Sequence, residues 1–442
     1  RGAFVVRLDV LIESHHAGHV DILGPDRAVF AYAESYLALS EPTPLSVRFP
    51  LRAEPYDSPQ VAYWMQNLLP DDREVLQQWC DRYGASLLRP IELLGTVLGA
   101  ECAGAVQFCD PERTAELLGD RGGRQRLSEE ELWKGLELLR ADPSYRFSAA
   151  HADTGRSLGG MQPKDALAST ADGWAVPWGR QATTHILKLD RDLYPYETLV
   201  EHVTMRTAAR LGLAAPATRM LHGENFGVIV VERYDRSVVD ETDEPQRIHQ
   251  EDLCQALGLP PGRKYQRFHG ATVERCVDVL RDGGSAGSAP DIRRLRDMLL
   301  FRWIVGDTDG HAKNFSLLLS GGQRVLAPLY DSATFLPHRR TREEGDLSFA
   351  MWAGRAGQQW RLRETDTARS LAQLAKALGL SAADVGTRAE HLAAGLPSAL
   401  ADVVNGLTAH EQDTLDNLDL VRQVVTRSSR CAATAAELRP PG

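Results

Sequence analysis

The chain has 442 residues, 43% of them apolar and 25% charged, with a formal net charge of −10. That length supports two to three folding units and a large core without covalent staples. The acidic balance excludes a chain-wide basic footprint for nucleic acid, and the local runs Arg293, Arg294, Arg296 and Arg339, Arg340, Arg342 read as solvated faces.

The six cysteines form no C-x-x-C pair and no zinc spacing with histidine, so they read as reduced thiols of a cytoplasmic protein. No apolar run reaches membrane length, and RGAFVVRLDV lacks the order of a secretory leader, so no membrane association is expected.

Residues 1–50 read as short strands: VVRLDVLI alternates in part, and HVDIL and AVFAYAESYLAL follow. Residues 61–100 read as helices, in VAYWMQNLLP, EVLQQWCDRY and IELLGTVLG. Ser128 and Glu131 make a capping box that starts a helix at LWKGLELLR. A glycine-rich turn in SLGGMQPK then precedes strands in WAVPWG and THILKLD. An amphipathic helix is expected over 195–211, a buried strand in FGVIVVERYD, and an acidic loop at DETDEPQ. Residues 241–425 read as mostly helical, with a flexible loop at 282–291 before the helix IRRLRDMLLFRWIVG. The units so drawn are 1–110, 111–240 and 241–425, with 426–442 a disordered tail.

The chemistry concentrates in GDTDGHAKNFSLLLSGGQRVLAPLYD, residues 306–331. Asp309 precedes Asn314 by the D-x-x-x-x-N spacing of a protein-kinase catalytic loop. Phosphoryl transfer needs a carboxylate to take the acceptor's proton and oxygen ligands for Mg²⁺. FSLLL and VLAPL flank SGGQR as a hairpin whose two ends would present Asn314 and Asp331 to one metal. His311 would order the loop, and Lys313 would reach a phosphate. Gly159 and Gly160 let backbone N–H groups approach phosphates, although SLGGMQPK matches neither a P-loop nor a Rossmann fingerprint. Lys188, mid-strand, needs a carboxylate partner, for which Glu201 is preferred over Glu197 on the next helix. The strand ending at Glu232, Arg233 and Tyr234 offers backbone groups to an adenine. Each piece alone has a plainer reading as a turn, a strand end or a salt bridge; the order of the pieces carries the argument.

With SLGGMQPK, RIHQEDLCQALG, TDGHAKNFSLL and LAPLYD in place, the chain resembles the HipA family of bacterial toxin kinases. PLSVRFPL, NLLPDD and GAECAGAVQF resemble that family's N-terminal coupling region, and the likeness covers about residues 5–400. It implies an α+β, two-lobed protein-kinase-like fold with an N-terminal β-rich subdomain and a mainly helical C-terminal lobe. It further implies Asp309 as base, Asn314 and Asp331 as Mg²⁺ ligands, and Lys188 as the phosphate-binding lysine. ATP would be held by Gly159, Gly160, Met161, Gln162, Pro163 and Lys164, by the hinge Glu232–Tyr234, and beside Tyr330. Ser157 matches a loop serine that the family autophosphorylates, where an added dianion would repel ATP phosphates. The implied partners are a protein substrate, typically an aminoacyl-tRNA synthetase, and a HipB-type helix-turn-helix antitoxin, with DNA reached only through the antitoxin. The motif at 249–252 has no firm chemical role and reads as buried scaffolding for the catalytic loop. A non-catalytic nucleotide-binding scaffold and a small-molecule phosphotransferase are the competing readings.

Overall fold

The computed structural model describes residues 5–119, 122–148, 154–237, 245–282, 288–338 and 347–438. The acidic stretch 240–244 and part of the loop expected at 282–291 lie outside them. The chain divides into two compact units: 1–191 with 221–261 and 317–324, and 192–220 with 262–316 and 325–442. The expected boundaries at 240 and 241 therefore move. Residues 192–220 fold with the second unit and 245–261 with the first, because the chain crosses between units more than once.

The first unit is built on two sheets. β1 (Val6–Ile12), β2 (His15–Gly24), β3 (Arg27–Tyr32), β4 (Tyr56–Asp57) and β5 (Val106–Cys109) run antiparallel in the order β4-β3-β2-β1-β5. Alternation selects the buried face: Leu8, Val10 and Ile12 meet Val20, Ile22, Phe30 and the helix Pro59–Gln66 through Val61, Trp64 and Met65. The helix expected over IELLGTVLG is instead two 3₁₀ turns, Pro90–Gly95 and Val97–Ala100. Proline, β-branched residues and two glycines there break the α-helical ladder.

The second sheet comprises β6 (Gly123–Arg126), β7 (Lys164–Thr170), β8 (Gly173–Trp178), β9 (His185–Lys188), β10 (Thr218–His222) and β11 (Gly227–Glu232), ordered β10-β11-β9-β7-β8-β6. Leu167, Val176, Leu187, Val228 and Val230 pack with Leu132, Leu136 and Leu139 of the helix Glu129–Ala141. That helix starts at the expected capping box, Ser128 with Glu131.

The second unit is mainly helical. Its long elements are Glu197–Arg210, Ser288–Val305, Ala368–Leu378, Ala382–Asn405 and Leu420–Ala436. The last of these overturns the expectation of a disordered tail from 426. Leu420, Val424, Arg427, Ser428, Cys431 and Ala435 form its buried stripe. Small side chains hid this helical spacing in the sequence. Arg427 donates to Asp366 at 2.8 and 2.9 Å and to the Trp303 carbonyl at 3.0 Å. All six cysteines are buried and unpaired by disulfides, as expected. Among the described residues no helix is long and apolar enough to cross a membrane.

Candidate active site

In the second unit the helix Ser288–Val305 stops at Gly306, whose φ of +71° suits glycine and turns the chain out of the helix. The next residues, 307–311, form an irregular loop that enters a 3₁₀ turn, Ala312–Asn314, and then the strand Ser316–Ser320. A hairpin returns through Gln323–Leu326, and 327–331 carry the chain back to Asp331. The expected hairpin is therefore present, with its return strand ending at Leu326.

Hydrogen bonds tie the hairpin's two ends together. Tyr330 Oη donates to the Lys313 carbonyl at 2.7 Å and lies 2.6 Å from Ser316 Oγ. Asn314 Nδ2 donates to the Asp309 carbonyl at 2.9 Å, which leaves Oδ1 as the amide's ligating end. Asp331 is exposed and adopts φ +50°. Its charge is felt at Asp309, whose carboxyl is pushed up to about 6. Burial is the largest cause of that rise, opposed by the charge of Lys264 and a 3.1 Å hydrogen bond from Tyr265 Oη, and reinforced by Asp307 and Asp331. An amide oxygen and a carboxylate are the hard donors Mg²⁺ takes alongside phosphate oxygens and water. His311 is buried with its ring edge-on to Tyr265 at 5.2 Å. Lys313 is buried, and its carbonyl anchors Tyr330.

One buried ion pair organises this loop, and the sequence reading passed over it. Asp307 accepts from the Arg302 guanidinium, from Ser332 Oγ at 2.7 Å and from the Asp309 N–H at 3.1 Å. Arg302 also donates to the carbonyls of Tyr330 at 2.8 Å and Asp331 at 3.2 Å. Both partners are about 2% exposed or less. The pair thus joins the end of the helix, the segment holding Asp309 and the segment holding Asp331. Its only sequence signal is Asp307 in GDTDG, which by itself reads as a turn former.

The remaining expected residues lie in the first unit, apart from Glu201, which is buried on the helix Glu197–Arg210 of the second. The glycine-rich turn spans 159–163. Gly160 has φ +100° and accepts from the Asp71 N–H at 3.3 Å. Gln162 Nε2 donates to the Leu189 carbonyl at 3.0 Å, Pro163 is buried and Met161 is half exposed. Lys164 on β7 lies directly across from Lys188 on β9. Directly opposed residues of an antiparallel pair share a face of the sheet, so both lysines stand on the same side of it. Ser157 is fully buried; its Oγ donates to the Leu68 carbonyl at 2.8 Å and its N–H to the Glu101 carbonyl at 2.9 Å.

The hinge expectation needs correction at Arg233. Its guanidinium is buried among Asp235, Glu101 and Thr183, and its N–H is committed to the Thr184 carbonyl at 2.9 Å. Neither group is offered to an adenine. Tyr234 Oη donates to Gln250 Oε1 at 2.5 Å, while the Glu232 side chain is exposed. Glu101, inside the GAECAGAVQF motif, is the hub: Arg233, Arg236 and Arg247 all reach it, at 2.6 to 3.1 Å. Burial acts to raise its carboxyl, but the three guanidinium groups hold it well below the usual range.

The strand His249–Asp252 is buried, apart from the half-buried Asp252, as expected of scaffolding. It pairs with the strand that follows Asn314. It also clamps the N-terminal sheet region: His249 lies 2.9 Å from the Leu45 carbonyl, and Glu251 accepts from Ser46 Oγ, Val47 N and Trp64 Nε1 at 2.6 to 3.0 Å. Asp252 and Gln255 form a capping box for the next turn.

Residues 8–109 match the HipA N-terminal domain and residues 156–400 the HipA-like C-terminal domain. The Sinorhizobium fredii protein Y4mE is 36% identical over 339 residues, 76% of this chain and 77% of its own. The serine/threonine-protein kinase toxin HipA of Shewanella oneidensis is 29% identical over 304 residues, 65% of this chain and 66% of its own. A solved complex of Shewanella oneidensis HipA, HipB and operator DNA contains a chain that superposes with a TM-score of 0.81. The match has 23% identity and covers 98% of this chain and 100% of that one.

Proposed function

Because the chain belongs to the HipA family, we propose that it is an ATP- and Mg²⁺-dependent protein serine/threonine kinase acting as a growth-arresting toxin. The observation that carries this is the arrangement in the second unit. A half-buried carboxylate at Asp309 sits beside an amide, Asn314, pinned so that its oxygen is the ligating end. An exposed Asp331 is held against the same loop by Arg302 and Tyr330.

In this reading Asn314 Oδ1 and the Asp331 carboxylate hold the metal. When bound, Mg²⁺ neutralises phosphate charge and orients the γ-phosphoryl group. Asp309 accepts the proton of a serine or threonine hydroxyl as that oxygen bonds the γ-phosphorus and the bond to the bridging oxygen of ADP breaks. Lys164, Lys188 and the N–H groups of 159–162 bind phosphate oxygens.

Ser157 is the proposed autophosphorylation site. Its buried hydroxyl, committed to Leu68, requires the loop to leave its seat first. The protein substrate is proposed to be an aminoacyl-tRNA synthetase. The antitoxin is proposed to be a HipB-like helix-turn-helix protein through which the acidic chain reaches operator DNA. The Shewanella oneidensis complex, which contains HipA, HipB and DNA, supports that partner.

Intact-mass measurement after incubation with Mg²⁺-ATP tests the kinase reading. The expected result is phosphate on the chain or on a supplied protein acceptor, reduced about 100-fold or more by Asp309→Gln. ATP binding with no transfer to any protein would leave a silent nucleotide-binding scaffold instead.

A further inference from the structure

Asp309 is approached from a segment outside the catalytic loop. Residues 264–268, KYQRF, follow a 3₁₀ turn and are locked on both sides. The Lys264 carbonyl accepts from the Ala312 N–H at 3.2 Å, inside the catalytic loop. Gln266, fully buried, donates from its N–H to the Ala350 carbonyl at 2.9 Å. Its side chain accepts from Trp352 N at 2.8 Å and donates to the Arg355 carbonyl at 3.1 Å. Ala350 N–H in turn donates to the Thr308 carbonyl at 2.8 Å, one residue before Asp309. The segment is thus stitched to the loop directly and through 350–355.

Tyr265 stands on this rigid segment. Its ring meets His311 edge-on at 5.2 Å and Phe268 at 6.0 Å, which fixes the direction of the hydroxyl. That hydroxyl donates to Asp309 Oδ1 at 3.1 Å. A carboxylate that serves as a proton acceptor has two oxygens, and holding one of them sets where the other points. Lys264 is 8% exposed, with its ammonium 5.2 Å from the centre of the Tyr265 ring, and it is the strongest influence favouring ionised Asp309. Asp307 and Asp331 act on Asp309 in the opposite sense, and the Arg302 guanidinium is already committed to Asp307. The Lys264 ammonium is thus a second cation beside these carboxylates.

We infer that Tyr265 and Lys264 are positioning residues for the phosphoryl-transfer step: Tyr265 pins Oδ1 of Asp309 so that Oδ2 faces the acceptor hydroxyl, and Lys264 supplies the compensating charge. This rests on the kinase reading. It adds that the base is oriented by the segment 264–268, outside the D-x-x-x-x-N motif.

The test measures transfer rate against ATP concentration in the full-length chain, with melting temperature as a check on folding. Tyr265→Phe keeps the ring packing and removes only the hydroxyl. The expected result is a maximal rate lower by about 10- to 100-fold, the range for losing a hydrogen bond to a charged group. Half-saturating ATP should stay within about twofold, because ground-state nucleotide binding does not use this bond. Lys264→Met should behave similarly, and Lys264→Arg should recover most of the rate. An unchanged maximal rate in Tyr265→Phe overturns the inference, as does an equal loss of ATP affinity, which indicates a merely structural role. An arginine variant as slow as the methionine one removes Lys264 from it. A wild-type chain that binds ATP and transfers no phosphate defeats the kinase reading itself, and this inference falls with it.

Discussion

Asp307→Ala isolates the buried pair that ties the catalytic loop together. The substitution leaves the Arg302 guanidinium, 2% exposed, with only the Tyr330 and Asp331 carbonyls as partners. It also strands the Asp309 N–H and Ser332 Oγ, which lose their acceptor. Removing one side of a buried ion pair costs about 3–5 kcal/mol, and the two lost hydrogen bonds overlap with that figure because they share one carboxylate. At roughly 2–4 °C per kcal/mol for domains of 150–250 residues, the melting temperature of the second unit should drop by about 10 °C or somewhat more. The double variant Arg302→Met/Asp307→Leu separates stability from positioning. Replacing both charges by apolar groups is often neutral, so it should regain much of the lost stability. It should still transfer phosphate at least about tenfold more slowly, because nothing then anchors the Asp309 N–H or the Tyr330 and Asp331 carbonyls. Differential scanning calorimetry and a phosphate-transfer assay on the same preparations decide the matter. An Asp307→Ala chain that melts within about 2 °C of wild type refutes the energetic argument, and a fully active double variant refutes the positioning argument.

Lys188→Met should abolish the rise in melting temperature that saturating Mg²⁺-ATP produces, about 2.7 kcal/mol at 100 times Kd. Nucleotide-dependent melting curves check it, and an undiminished rise in the variant would contradict it. Glu251 is buried with its carboxyl pushed up from 4.5 to about 7, burial outweighing its hydrogen bonds. A raised folded-state value means stability is full below about 4.5 and is lost as pH rises through 7, by about 3 kcal/mol at 1.4 kcal/mol per unit. Melting of wild type against Glu251→Gln at pH 5 and pH 8 should show the steeper fall in wild type; parallel falls would contradict it. Deleting everything after Thr426 should destabilise the second unit by several kcal/mol, read as a lower midpoint in urea, because Arg427 and the stripe through Cys431 and Ala435 are removed.

Legibility in the sequence followed the range of the interactions. Asp309, Asn314, the hairpin and Asp331 lie within a short stretch, so their spacing is itself the signal. The capping box at Ser128 and the strand position of Lys188 are readable for the same reason. Glu101 was not: its partners Arg233, Arg236 and Arg247 stand 132 to 146 positions away, and no periodicity links them. Arg233 likewise reads as a hinge residue in sequence, while the structure divides its guanidinium between neighbouring Asp235 and distant Glu101. Tyr265 and Arg302 act on the catalytic loop from neighbouring segments, and neither belongs to a motif. The final helix was missed for a different reason. Past Val424 its buried face consists of Arg427, Ser428, Cys431, Thr434 and Ala435, whose small or polar side chains give a weak hydrophobic pattern although they are buried.

That final helix has a consequence for how the second unit holds together. Arg427 closes on Trp303 and Asp366, and Ser428 donates to the Ala393 carbonyl at 2.6 Å, so one helix clasps segments that are far apart along the chain. Loosening it would free the end of the helix leading into GDTDGH, and a disturbance at this clasp would be felt at Asp309 without touching it.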